Sequence, residues 1–243
     1  IINNPENFKL ENTTIWSFPD RGRWATHSGG YRGNWSPYIP RNLILRYSKK
    51  NDWILDQFLG SGTTLIEAKL LGRNAIGVDI NPDSIKLSKS NLQFTCSETS
   101  RIFMKEGNAC DLSFIKNQSM DLVCTHPPYA DIIQYSKEIK EDLSHLSYKD
   151  FLSALSEVAK ESFRVLKDNG ICAFMIGDIR QNGYVLPLGM YSMQKFVEEG
   201  FVLKEIVIKE QHNCRSTDYW ERCERKFLML AHEYIFILEK LAI

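Results

Sequence analysis

The chain has 243 residues, of which 43% are hydrophobic and 25% charged, and its 30 basic residues balance its 30 acidic ones. This length suits one large α/β domain, or one domain with a modest insertion, of ordinary globular composition. No apolar run approaches the roughly 20 residues that cross a membrane, and no signal peptide is recognisable, so we expect a cytoplasmic protein.

The chain has two parts that differ in sequence composition. Residues 1–50 are rich in loop-forming and aromatic residues, and we expect an arm that packs on the rest of the protein. Residues 51–243 alternate between apolar strand-like and helical segments. The six cysteines are scattered without a CxxC pair, which predicts a reduced protein without a metal site.

The predicted elements alternate in type along most of the chain. The strands are 53–58, 74–79, 101–105, 122–125, 171–176, 201–208 and 227–239, and the helices are 64–71, 83–92, 148–166 and 188–200. This alternation predicts an α/β fold with a doubly wound, mostly parallel sheet of seven strands. Because no helix separates the last two strands, we expect an antiparallel strand at one edge.

A glycine-rich turn, Gly60-Ser61-Gly62, lies between the first of these strands and its helix. Glycines let the backbone turn sharply and approach a ligand, and the helix N-terminus adds a positive dipole. Asp79 ends the next strand, where a carboxylate can bind ribose hydroxyls. The turn lacks the third glycine of dinucleotide sites and the Gly-Lys-Ser/Thr of a P-loop. The pattern favours a nucleoside with a charged side chain, with a purely structural turn as the alternative.

A second motif, His126-Pro127-Pro128-Tyr129, follows the apolar strand at 120–125. Consecutive prolines stiffen the backbone and remove two N–H donors. A planar substrate could stack on Tyr129 while the 125–127 segment accepts hydrogen bonds from its edge. The alternative is a histidine that merely ends a strand.

Together the two motifs resemble those of the DNA amino-methyltransferases. The segment 56–63 is similar to that family's cofactor loop, Asp-Pro-Phe-x-Gly-Ser-Gly-Thr, with Gln57 in place of proline, and 126–129 is similar to its catalytic Asp/Asn/Ser-Pro-Pro-Tyr. The likeness extends over about residues 35–240 and implies a Rossmann-like S-adenosylmethionine-dependent methyltransferase. It also implies double-stranded DNA as the substrate and a cognate restriction endonuclease as a candidate partner.

The resemblance also implies site residues. The cofactor-binding set comprises Asp56, Phe58, Gly60, Ser61, Gly62, Thr63, Asp79, Ile80, Asn108, Ala109, Pro40 and Asn42. Asn108 stands where the family has an acid. For the segment 36–44, which includes Pro40 and Asn42, a plain proline-rich lead into a helix is the alternative. The catalytic set comprises His126, Pro127, Pro128 and Tyr129.

The implied reaction is methyl transfer to an exocyclic amino nitrogen of a flipped base, either N6 of adenine or N4 of cytosine. Thr125 and Tyr135 favour cytosine. The amine is a poor nucleophile, and a neutral His126 can accept its hydrogen bond or its released proton, whereas an imidazolium cannot. Methylation at a cytosine carbon is excluded because no cysteine follows a proline, and Cys124 is expected in the core.

Three segments are candidates for nucleic-acid contact, at 16–50, 130–149 and 210–226. Arginines among aromatic residues suit phosphate contact and base stacking. In the last segment these are Arg215, Tyr219, Trp220 and Arg222. Asp178, after the fifth strand, either lines the target pocket or caps a helix. Two other functions stay open: an RNA base amino-methyltransferase, and a nucleic-acid-binding subunit of weakened activity, suggested by His126 and Asn108.

Overall fold

The computed structural model describes residues 3–129, 139, 142–212 and 227–242. Its main sheet has eight strands in the order β1-β9-β10-β6-β5-β2-β3-β4. These strands are β1 (Ile15–Trp16), β2 (Trp53–Asp56), β3 (Asn74–Asp79), β4 (Ile102–Glu106), β5 (Met120–Thr125), β6 (Leu166–Ile176), β9 (Val202–Glu210) and β10 (His232–Glu239). A separate hairpin consists of β7 (Ile179–Gln181) and β8 (Tyr184–Leu186).

The predicted α/β fold with a mostly parallel sheet is confirmed. Within the main sheet β10 alone runs antiparallel to its neighbours, β6 and β9. The structure adds an eighth strand, because Ile15–Trp16 of the arm pairs in parallel with β9. The antiparallel strand, β10, lies inside the sheet and not at its edge, because it is inserted between β6 and β9.

Helices cover both faces of the sheet. They are α1 (Tyr38–Tyr47), α2 (Thr63–Leu70), α3 (Pro82–Asn91), α4 (Tyr148–Val165) and α5 (Leu188–Glu198). Alternate strand residues point to opposite faces. Ile54 and Cys124 pack with α1–α3 on one face, whereas Leu55 and Phe174 pack with α4 and α5 on the other. In the part of the chain that the structure describes, no helix is long and apolar enough to cross a membrane.

The helix boundaries of the sequence prediction lie within two residues of the observed ones. Two strands differ more. The last strand begins at His232, not at residue 227, and the apolar residue Leu228 is 87% exposed outside any ladder. Conversely, β6 begins at Leu166, five residues before its predicted start. The prediction began too late because the polar run Lys167-Asp168-Asn169 does not have the apolar pattern of a buried strand.

A buried carboxylate anchors the arm to α2. Glu67 is fully buried and accepts hydrogen bonds from Trp24 Nε1 (2.6 Å), Arg41 Nη1 (2.8 Å) and His27 Nε2 (2.7 Å). The guanidinium of Arg41 is itself buried. A buried ion pair of this kind costs desolvation, but the loss of one partner leaves an uncompensated charge. Glu67 thus holds residues of the arm against the helix that follows the glycine turn.

The substitution Glu67→Gln tests this anchor. We expect the free energy of unfolding to fall by about 3–5 kcal/mol, because Arg41 would remain buried without a counter-charge. The matched control is Glu157→Gln, which removes an exposed pair with Lys160 at 3.6 Å and should cost less than about 1 kcal/mol. Urea denaturation measures both values, and equal losses would contradict the anchoring role.

Candidate functional site

A cleft opens beyond the carboxyl ends of β2, β3 and β5, and it encloses about 760 Å³ including space open to solvent. This is the edge at which open α/β sheets bind ligands. Most of the predicted site residues line it, namely Asp56, Phe58, Gly60, Ser61, Thr63, Asp79, Ile80, Asn108, Ala109, His126 and Pro128. The two motifs that are separated in sequence therefore share one cavity.

The glycine turn is held in a conformation that requires glycine. Gly60 and Gly62 have φ values of +52° and +86°, in the left-handed region. A Cβ atom on Gly60 would lie 3.1 Å from the Tyr31 ring, and the Gly60 N–H donates to Asp79 Oδ2 at 2.8 Å. Asp79 Oδ1 accepts from Asn81 N at 2.9 Å. Burial raises the pKa of Asp79, while these backbone donors oppose the rise.

Asp56 connects the glycine turn to the second motif. Its buried carboxylate accepts hydrogen bonds from Phe58 N (3.1 Å), Thr64 Oγ1 (2.5 Å) and Thr125 Oγ1 (2.7 Å). Burial raises its pKa to about 6, against the effect of these donors. Because Thr64 belongs to α2 and Thr125 to β5, one side chain fixes the spacing of the two motifs. Asp56 therefore acts mainly by positioning the walls of the cleft.

Gln57, which departs from the family's proline, has a defined structural role. Its Nε2 donates to Ser162 Oγ on α4 at 3.0 Å, and Ser162 Oγ donates in turn to the Val158 carbonyl at 2.7 Å. Both side chains are buried. Proline could not make the contact with Ser162, so Gln57 ties the turn to α4 by a bond that the motif alone does not reveal.

His126 is held on both sides. Its ring stacks on Trp35, with centroids 5.5 Å apart and planes inclined by 18°. Its Nε2 lies 3.0 Å from the Tyr129 hydroxyl, which donates to Glu233 Oε1. Burial lowers the pKa of His126 to about 4, although the charge of Glu233 opposes this. The imidazole is thus neutral at neutral pH, in the form that can accept a hydrogen bond or a proton.

The sequence prediction missed several residues of this site. Glu233 Oε2 pairs with Lys209 Nζ at 2.9 Å, and Trp35 and Asp142 line the cleft. The only sequence signal for Glu233 is the polar pair His232-Glu233, which interrupts an apolar strand. Trp35 was recognisable as part of an aromatic arm but had no assigned contact.

The arm contributes one wall of the cleft. Asn34 Nδ2 donates to Ser61 Oγ at 3.0 Å, and the Tyr31 hydroxyl lies 3.0 Å from Ser84 Oγ. Arg21 donates to the carbonyls of Asn34 (3.0 Å) and Trp35 (2.7 Å). These bonds hold residues 31–35 over the glycine turn and against His126.

Some predicted site residues lie elsewhere. Contrary to expectation, Pro40 and Asn42 do not line the cleft, since both are buried in α1, where Asn42 accepts from Glu11 N and donates to the Tyr38 carbonyl, each at 2.8 Å. The segment enters and forms α1, with Pro37 at the N-cap position of the helix. Gly62, Pro127 and Tyr129 do not line the cleft either.

Asp178 takes the second of its two predicted roles. It accepts from Gly189 N in the first turn of α5 at 2.9 Å and from the Tyr234 hydroxyl at 3.1 Å. Arg215, Tyr219, Trp220 and Arg222, together with Tyr135, lie outside the described residues. Among the residues that are described, no group of three His, Cys, Asp or Glu side chains could hold a metal ion.

Comparison with known families gives a match over most of the chain. The model of a DNA methylase family, named for N6 and N4 methylation, matches residues 3–90 and 120–242. The type II methyltransferase M2.LlaDCHI of Lactococcus lactis subsp. cremoris is 49% identical over 55 residues, which are 23% of this chain and 20% of that protein. The tRNA (guanine(10)-N2)-dimethyltransferase of Methanothermobacter thermautotrophicus is 33% identical over 132 residues, 54% of this chain and 37% of that protein.

The aligned part of this chain thus spans at most 37% of the length of these two curated relatives. Among solved structures, TrmN from Thermus thermophilus has a TM-score of 0.59 at 18% identity, covering 86% of this chain and 50% of that one. A SAM-dependent methyltransferase from Methanosarcina mazei has a TM-score of 0.55 at 17% identity, covering 82% of this chain and 97% of that one. These two similarities establish the fold.

The pH dependence of stability tests the surroundings of His126. Its pKa of about 4 in the folded protein is below the ordinary 6.5, so between these values the folded state binds fewer protons than the unfolded state. The stabilisation of the neutral ring is therefore present above pH 6.5 and lost as the pH falls toward 4, by up to about 3 kcal/mol.

The measurement compares the unfolding of the wild type with that of His126→Asn at pH 7 and pH 4. We expect the wild type to lose more free energy of unfolding than the variant over this interval. Asp56, whose raised pKa of about 6 acts in the opposite direction, titrates in both proteins and cancels in the comparison. The same pH dependence in both proteins would show that the pKa of His126 is not lowered in the folded protein.

Proposed function

Since this chain belongs to the family of N6 and N4 DNA methylases, we propose that it moves a methyl group from S-adenosylmethionine to an exocyclic amino nitrogen of a base in double-stranded DNA. The observation that carries the proposal is the Asp56 carboxylate, which bonds Thr64 beside the glycine turn and Thr125 beside His126. In this proposal residues 51–243 are the catalytic domain and the arm, 1–50, is one wall of its cleft.

The family and its fold imply S-adenosylmethionine as the cofactor, and the chemistry of the cleft fits it. Gly60 lets the Tyr31 ring approach the glycine turn closely, because a Cβ there would lie 3.1 Å from the ring. Asp79 and Asp142 bring carboxylates to the same cleft, suited to ribose hydroxyls and to a positively charged ligand. An ionised carboxylate has about four acceptor positions. Asp79 uses three of them, for the N–H groups of Gly60 and Asn81 and for the Ser84 side chain, which leaves one for a hydroxyl.

When bound, this cofactor supplies a methyl group on a positively charged sulfur. The residues of the chain then have to present the amine in line with it. We assign this work to 126–129, a stiff segment whose first ring is fixed by Trp35. The neutral His126 accepts a hydrogen bond or a proton from the amine, and Tyr129 stacks on the flipped base. Arg215, Tyr219, Trp220 and Arg222, with the segments 130–149 and 210–226, stay predictions for DNA contact.

The choice between cytosine N4 and adenine N6 has less support than methyl transfer to an amino nitrogen. Cytosine N4 was favoured by Thr125 and Tyr135, but the Thr125 hydroxyl is 2.7 Å from Asp56 Oδ1 and donates to it. Thr125 therefore contributes to positioning and not to base selection. A cognate restriction endonuclease stays a prediction without further support.

A second candidate is methylation of a guanine amino group or another base in structured RNA. It is favoured by one observation, the 33% identity over 54% of this chain to a tRNA (guanine(10)-N2)-dimethyltransferase. The same cleft would serve both reactions, because both place an exocyclic amine against a fixed acceptor.

Identification of the modified nucleoside tests the function directly. The protein is incubated with labelled cofactor and either duplex DNA or tRNA, and the digested products are identified by mass. We expect N4-methylcytosine or N6-methyladenine from DNA, with a lower rate for Tyr129→Ala because about 1–3 kcal/mol of base stacking is lost. Label in RNA alone would support the second candidate. No label in either substrate would contradict both.

The substitution Asp79→Ala tests the cofactor site. We expect the affinity for S-adenosylmethionine, measured by calorimetry, to fall roughly 10- to 100-fold, because hydrogen bonds to a charged group are lost. Asp83→Ala is the matched control, since Asp83 lies four residues further on and pairs with the exposed Lys86 at 3.3 Å. An unchanged affinity in a folded Asp79→Ala protein would remove the ribose assignment.

A further inference from the structure

A chain of polar contacts runs from His126 into the sheet. His126 Nε2 lies 3.0 Å from the Tyr129 hydroxyl, that hydroxyl donates to Glu233 Oε1, and Glu233 Oε2 lies 2.9 Å from Lys209 Nζ. Glu233 belongs to β10 and Lys209 to β9, where they pair directly across the two strands. Glu233 is 8% exposed. A buried carboxylate in an otherwise apolar strand is costly unless it is paired.

The number of protons along this chain determines the direction of each bond. Burial alone would raise the pKa of Glu233, but Lys209 and the other partners outweigh it and the pKa is lowered. Glu233 is therefore an ionised carboxylate, which can only accept. The single phenolic proton of Tyr129 is donated to it, so the phenol oxygen faces His126 as an acceptor. Nε2 must then be the atom that carries a proton.

We propose that Glu233, acting through Tyr129, fixes His126 in the tautomer with its proton on Nε2, so that Nδ1 is the ring nitrogen without a proton. Its catalytic consequence rests on the proposed function, whereas the tautomer itself does not. Neither Glu233 nor Lys209 belongs to the 126–129 motif. Both are positioning residues, because they act on His126 through another side chain.

The surroundings of His126 agree with this arrangement. Trp35 stacks on the ring and restricts its rotation, so the nitrogen that faces Tyr129 is set. Burial, Lys209 and Arg21 disfavour a charged ring, whereas Glu233 and the Gly33 backbone favour one. The ring is neutral before the reaction, and the groups that would stabilise an imidazolium are already present.

The reaction step then balances as follows. The amino nitrogen forms a bond to the methyl carbon as the carbon–sulfur bond breaks and its electron pair returns to sulfur. The methylated nitrogen, now positively charged, loses a proton to His126 Nδ1 and regains the electrons of that N–H bond. The imidazolium that results still donates its Nε2–H to the Tyr129 hydroxyl. The negative charge of Glu233, on the far side of that hydroxyl, stabilises the positive ring. Histidine thereby replaces the oxygen acceptor that the family motif has at this position.

Tautomer-resolved NMR of ¹⁵N-histidine-labelled protein, recorded without DNA or cofactor, tests the proposal. Loss of a signal in His126→Asn assigns His126. We expect the Nε2–H pattern in the wild type and its loss or mixing with Nδ1–H in Glu233→Gln, whose amide can donate to the phenol. The matched control is Glu239→Gln on the same strand, which removes a pair with Lys204 at 2.7 Å and should leave the pattern unchanged.

An Nδ1–H pattern in the wild type would overturn the proposal, as would an unchanged Nε2–H pattern in Glu233→Gln. If Glu233→Gln does not fold, the wild-type spectrum still shows which ring nitrogen of His126 carries the proton. Kinetics give a second readout, with kcat expected to fall roughly 10²-fold in Glu233→Gln and KM for DNA to stay similar. A protein with the expected tautomer but no methyl transfer would refute the proposed function alone. Active enzyme with the opposite tautomer would refute the role of Glu233 alone.

Discussion

The arrangement of the cleft depends on one buried carboxylate, that of Asp56. It lies at the end of β2, and β2 pairs in parallel with both β3 and β5, so the loops that leave these strands must meet at one edge. Parallel pairing alone brings the glycine turn and the 126–129 segment near each other. The bonds from Asp56 to Thr64 and Thr125 set their separation. A buried carboxylate is costly unless it accepts hydrogen bonds, so moving Thr64 or Thr125 away from Asp56 would be unfavourable.

The arm extends this constraint to the opposite wall. Glu67 on α2 holds Trp24 and Arg41, and Arg21 holds the carbonyls of Asn34 and Trp35. As a result Trp35 stacks on His126 although the two residues are far apart in sequence. Residues of the arm therefore shape the acceptor of the proposed reaction, and α2 connects both walls.

Local patterns were sufficient to predict much of this protein. The strand–helix alternation predicted the sheet, and Gly60 with Asp79 and the 126–129 segment predicted the cleft, because each depends on neighbours in sequence. Trp35, Glu233 and Lys209 could not be found in this way, since they reach His126 only through tertiary packing and strand pairing. Asn42 was assigned to the cofactor by resemblance alone, whereas its side chain bonds Glu11 N and the Tyr38 carbonyl, contacts that no local pattern shows.

The two departures from the family motifs are accommodated in different ways. Gln57 replaces a proline and gains a buried bond to Ser162, which restores a fixed turn by a side-chain contact. His126 replaces an oxygen acceptor, and an imidazole can substitute for it only if it stays neutral and presents a nitrogen without a proton. The lowered pKa of His126 agrees with the first condition, and the tautomer that we propose for the Glu233–Tyr129 chain meets the second. A histidine that had merely lost function would need neither, so these contacts favour an active methyltransferase over a subunit of weakened activity.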